Sequence, residues 1–286
     1  MRKVLWLLAL LTLFGCSSAK KDETVSVEEG AEATPVAEQT SGKALSAGVT
    51  AETKPMIEKA TKLVQTGNLG KAFDQLNEVI KSDPKCAAAY FMRAGIFADA
   101  GQNQRSAADF TKAIELDPKN ADFHNARGFF YLTRQELGNS LKDFAETIKL
   151  NPQHAQCYNN RGLAYVAQGK FKDAVDDFTQ AIKLGPKNHD AMNNRGFASF
   201  QLGEYDQALA DFDAAIKLNP EYLNAYNNKG LLFFKQEKYA EAAAQFSEAA
   251  KRDRLNAKYY RHRHEAYLKA GMEKQARADL VKIGWL

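Results

Sequence analysis

The sequence predicts an all-α fold, a solenoid of about seven stacked helix-turn-helix pairs, and three observations carry that expectation. Five of the seven prolines, Pro84, Pro118, Pro152, Pro186 and Pro220, stand 34 residues apart. A fixed period of this length marks a stacked array and takes precedence over local reading. With each repeat numbered 1–34 and the proline at 32, position 8 reads Ala60, Ala94, Gly128, Gly162, Gly196, Gly230 and His264, and position 20 reads Ala72, Ser106, Ser140, Ala174, Ala208, Ala242 and Ala276. Small residues at two such points let paired helices approach closely. Position 24 supplies bulk beside them: Leu76, Phe110, Phe144, Phe178, Phe212, Phe246 and Leu280.

In chain order, the first element is a leader. Met1-Arg2-Lys3 is basic, and Val4 to Phe14 is an apolar run too short to cross a bilayer, so residues 1–15 read as a signal peptide. The ending Leu13-Phe14-Gly15-Cys16 resembles a bacterial lipobox. That resemblance implies cleavage before Cys16 and lipidation of the new N-terminal residue, a stable membrane anchor when two or more acyl chains are attached. Ser17 after the cysteine implies sorting to the outer membrane, facing the periplasm, where one exists, and otherwise to the outer face of the cell membrane. Residues 16–52 follow as the lipidated cysteine and a disordered tether, rich in Ser, Ala, Thr, Glu and Gly and lacking any apolar stripe. A flexible coil of that length spans about 30–36 Å.

The array then occupies residues 53–286, with repeats at 53–86, 87–120, 121–154, 155–188, 189–222, 223–256 and 257–286. Each proline drives its predecessor (Asp83, Asp117, Asn151, Gly185, Asn219) out of helical geometry and ends the second helix. No single pair buries its own apolar face, so neighbouring repeats are the core. The stretch Tyr158-Asn159-Asn160-Arg161-Gly162-Leu163-Ala164-Tyr165, followed by Ala174, Phe178, Ala181 and Pro186, resembles the tetratricopeptide repeat family. The resemblance covers roughly residues 53–286. It implies a right-handed superhelix whose first helices line a concave surface that binds extended peptide segments of other proteins.

Position 7, commonly Leu in that family, is Lys59, Arg93, Arg127, Arg161, Arg195, Lys229 and Arg263. Position 23 is Gln75, Asp109, Asp143, Asp177, Asp211, Gln245 and Asp279. Arginine always accompanies aspartate and lysine always accompanies glutamine, which predicts an Arg–Asp bridge joining the two helices of a pair.

Mapped onto the concave positions of the family, the candidate partner-binding residues are Asn125, Asn159, Asn160, Asn193, Asn194, Asn227 and Asn228 beside Phe129, Leu163, Phe197 and Leu231. Side-chain amides donate to and accept from a peptide backbone irrespective of its sequence. Arg261 and His262 fall on the same positions of the last repeat and suggest a basic end pocket. The chain stops soon after the seventh pair, so Leu280 and Trp285 mark a face for a partner or a second copy.

Other classes find little support. The net charge of +4 is not gathered in a stripe, which argues against nucleic acid. Cys86 and Cys157 lie more than two repeats apart, beyond disulfide reach. His124, His154, His189, His262 and His264 assemble with no nucleophile or metal-ligand spacing, so neither catalysis nor a metal or other cofactor is expected. The expected function is a lipid-anchored, non-enzymatic scaffold for other envelope proteins. Binding of cell-wall glycan or peptide fragments, and a self-assembling structural array, are the alternatives.

Overall fold

The computed structural model describes residues 42–284. The leader, Cys16 and tether residues 17–41 lie outside the described residues, as does Trp285. The described chain is all helical: α1 (Gly42–Ser46), α2 (Lys54–Gln65), α3 (Leu69–Ser82), α4 (Ala87–Asp99), α5 (Asn103–Leu116), α6 (Ala121–Leu132), α7 (Leu137–Leu150), α8 (Ala155–Ala167), α9 (Phe171–Leu184), α10 (His189–Leu202), α11 (Tyr205–Leu218), α12 (Leu223–Lys235), α13 (Tyr239–Arg252), α14 (Ala257–Lys269) and α15 (Glu273–Ile283). From α2 onward the helices pair in sequence, each pair packing on the next.

The local chemistry explains the boundaries. Residues 83, 117, 151, 185 and 219, each before a proline, have φ between −134° and −141°, extended geometry that ends the second helix. The turn between paired helices places position 15 in the left-handed region. Five repeats use glycine there, Gly67, Gly101, Gly169, Gly203 and Gly271, but Gln135 (φ 58°) and Glu237 (φ 61°) take the same conformation with a side chain present. Four of the first helices begin with a side-chain cap: Asn120, His154, Asn188 and Asn256 each accept from a backbone N–H of the opening turn.

Inside each pair the small and bulky positions interlock. Phe110, Phe144, Phe178, Phe212 and Phe246 are fully buried. A methyl group on Gly162 would lie 2.6 Å from the Phe178 ring, and one on Gly230 would lie 2.5 Å from that of Phe246. In the last pair His264 replaces the small residue, Leu280 replaces the ring, and the His264 Nδ1–H donates to the Ala276 carbonyl at 2.8 Å. Cys86 and Cys157 are buried free thiols, and burial pushes both upward in pKa.

One expectation needs correction. The tether was expected to stay unstructured through residue 52, yet α1 packs on α4 and α6, and Ala44 and Ala47 are buried with them. Composition gave no apolar stripe because five residues are too few to show one.

Candidate partner-binding face

Two ladders of polar side chains run along the array. In the first, the expected Arg–Asp bridges are present in all five repeats that carry both residues. Nε and Nη2 of each arginine donate to the two carboxylate oxygens of its aspartate: Arg93 to Asp109, Arg127 to Asp143, Arg161 to Asp177, Arg195 to Asp211 and Arg263 to Asp279. Each aspartate is buried while its arginine is partly exposed. At Asp143, burial alone would raise the carboxyl pKa. The Arg127 hydrogen bonds and charge, with His124 nearby, outweigh it and hold the group below the usual carboxylate value.

The same arginines also reach the preceding repeat, a link that sequence reading missed. Nη1 donates from Arg93 to Asn77, from Arg127 to Thr111, from Arg195 to Thr179 and from Arg263 to Ser247. All four acceptors occupy position 25. For Arg161 of the fourth repeat the corresponding residue is Ala145 of the third, without a side-chain acceptor. Lys229, facing Gln245 in its own repeat, turns instead to Asp213 at position 25 of the repeat before, at 2.6 Å. A polar residue at position 25 was the available signal.

The second ladder is made of the candidate asparagines. Asn160 Nδ2 donates to Asn125 Oδ1 at 3.2 Å, Asn194 to Asn159 at 3.2 Å, and Asn228 to Asn193 at 2.9 Å. Position 6 of one repeat thus grips position 5 of the repeat before. At the C-terminal end His262 takes the role of position 6, with Nδ1 at 2.9 Å from Asn227 Oδ1 and its ring against Phe246. The ladder stops at the other end because Phe91 and Ala126 hold the equivalent positions and join one apolar cluster.

These amides were expected on an open lining, and the structure corrects their exposure. All seven asparagines are at most 2% exposed. From α6 to α12 successive first helices pack on one another, so positions 5 and 6 fall between helices, where an amide must find a partner. Phe129, Leu163, Phe197 and Leu231 are likewise buried. On the first helices position 2 (Asp122, Gln156, Asp190, Asn224 and Lys258) is half-buried, as are Leu132, Val166 and Phe234 at position 12, and Thr133, Ala167 and Lys235 at position 13 are exposed. Arg261 is exposed beside the half-buried His262, so the last repeat presents its charge at the surface rather than as an enclosed pocket.

The tetratricopeptide repeat profile matches residues 57–121, 131–190, 159–222, 198–257 and 227–280, and a second profile of that description matches 110–142. No curated protein matches the sequence. Among solved structures, a tetratricopeptide repeat protein from Parabacteroides merdae is 22% identical with a TM-score of 0.66, over 85% of this chain and 93% of that one. Pseudomonas aeruginosa pilF is 20% identical with a TM-score of 0.61, over 69% of this chain and 90% of its own. These two likenesses concern the fold alone. YrrB, a repeat protein described as having an unusual peptide-binding site, is 25% identical with a TM-score of 0.50, over 62% of this chain and 91% of its own. With the helix pairs, their period and the matched profiles in agreement from residue 57 to 280, the chain belongs to the tetratricopeptide repeat family.

Proposed function

We propose that this protein is a non-enzymatic adaptor that binds extended segments of other envelope proteins along its first-helix face. The observation that carries this reading is the outer layer of that face. Half-buried Leu132, Val166 and Phe234 form an apolar row near the C-terminal ends of the first helices, and the polar side chains at position 2, Gln156, Asp190 and Asn224 among them, form a second row near their N-terminal ends. An apolar row takes a segment's side chains, and polar groups take its main chain. The buried amide ladder underneath holds these rows in register, so the asparagines serve recognition by positioning the helices that carry it. The family supplies protein–protein interaction scaffolds, and YrrB offers a peptide-binding precedent.

Lipidation at Cys16 would tether the array to a membrane of the bacterial envelope, facing the periplasm where an outer membrane exists. The test has two arms. Replacing Cys16 by Ser is expected to abolish incorporation of labelled fatty acid and to move the protein from the membrane to the soluble fraction. Replacing Val166 and Phe234 by Asp is expected to remove partners that the parent captures by cross-linking in its own cells. Unchanged membrane association in the first arm, or unchanged capture by a folded variant in the second, would overturn the corresponding part.

A further inference from the structure

Residues 44–49 occupy the face at which partner segments are proposed to bind. Helix α1 rests on α4 and α6, the first helices of the second and third repeats. Ala44 and Ala47 are buried, and Leu45 and Val49 pack into the cluster formed by Ala87, Ala88, Phe91, Met92 and Ala126. The array is adapted to this occupant in three ways. Position 2 is half-buried in the third to seventh repeats but fully buried in the second, as Ala88. Positions 5 and 6, asparagines in the fourth to sixth repeats, are the apolar Phe91 and Met92 there.

The third adaptation concerns the start of α4. Its N-cap is Cys86, which supplies no side-chain oxygen as acceptor for the opening turn. The Ala47 carbonyl provides one, accepting from the Ala88 N–H at 2.9 Å. Gly48 follows at φ +67°, and a side chain there would meet the Lys85 carbonyl oxygen at 2.7 Å. Thr50 and Thr53 then bond reciprocally, each backbone N–H to the other's hydroxyl, and turn the chain into α2.

We propose that residues 44–49 are a resident ligand of the array, closing the second and third repeats until a partner segment of the same chemistry displaces them. That chemistry is a short run of small apolar residues ending in a carbonyl for Ala88 N–H and a glycine for the close approach. The proposal rests on the reading of the first-helix face as a segment-binding surface. A segment attached to its own site by a short linker acts at an effective concentration near a millimolar, so weaker free segments are excluded.

The test uses the full chain, the variants Ala44→Asp and Gly48→Val, and a fluorescent peptide with the sequence of residues 42–50. Both substitutions lie outside the repeats, and far-UV circular dichroism verifies that the array stays folded. The expected result is at least ten-fold faster hydrogen exchange at the Ala88 amide in both variants, with at least ten-fold tighter peptide binding than the parent shows. The same peptide carrying Asp in place of Ala44 is expected not to bind. Equally fast Ala88 exchange in parent and variants would overturn residency, leaving the wider face to its own cross-linking test. Exposed Ala88 in the variants without tighter binding would overturn exchange in trans, reducing the segment to a fixed brace.

Discussion

Arg127 and Asp143 join the two helices of one repeat through paired hydrogen bonds, Nε to Oδ2 and Nη2 to Oδ1, each 2.8 Å long, while Nη1 of the same arginine reaches back to Thr111 of the repeat before at 3.1 Å. One guanidinium therefore fixes the angle within a pair and the spacing between pairs. Lysine, with a single ammonium on a flexible stem, cannot make both links in one plane.

Asp143→Asn should destabilise the array by about 2–3 kcal/mol, the range for a hydrogen bond to a charged group whose partner is left behind. Lys229→Gln should stay within about 0.5 kcal/mol, because its partner Asp213 is largely exposed. Thermal or denaturant melts of the two variants check the contrast, and equal shifts would refute the distinction between bridge and surface pair.

The depressed pKa of Asp143 carries a pH signature. A carboxyl held lower in the folded than in the unfolded state adds stability above its unfolded value, near 3.8, and that stability is lost as pH falls through the folded value. The parent should therefore lose stability more steeply than Asp143→Asn as pH drops below about 4. Denaturant midpoints measured across that window should converge toward acid; parallel curves would contradict the assignment.

Much of this was legible in the sequence, and the rest failed for physical reasons. The 34-residue spacing of Pro84 to Pro220 located the helix ends because proline disfavours helical geometry in the residue before it. The Arg–Asp bridges were readable because the two residue types change together from repeat to repeat. The burial of Asn159 and Asn194 was not, since asparagine on a first helix looks alike whether its amide meets a partner peptide or the next repeat. Docking of Ala44 and Ala47 left no trace either: five residues carry no periodicity, and alanine is common in disordered and packed segments alike.

In the amide ladder, Asn194→Ala should cost about 1–3 kcal/mol, because it strands the Asn159 carbonyl oxygen in a buried site. A double-mutant cycle with Asn159→Ala should give a coupling of at least about 0.5 kcal/mol. Additive single effects would mean the two amides do not depend on each other.

At the paired-helix turns, Gln135→Gly and Glu237→Gly should each stabilise the protein, by about 1 kcal/mol, since both exposed side chains sit in left-handed geometry that glycine adopts freely. Gly169→Ala, in the same turn of the fourth repeat, should cost a similar amount. Melts showing no change at all three positions would mean the turns are held by contacts rather than by local geometry.

The central claim is that the first-helix face is where partners bind. The most direct measurement places a photo-cross-linking amino acid at Gln156, Asn224 or Lys235 on first helices and at Lys149, Gln180 or Lys217 on second helices, in cells that make the full chain. The account predicts defined protein adducts from the first set and none of those adducts from the second. Adducts of the same proteins from both sets, or only from the second, would contradict it.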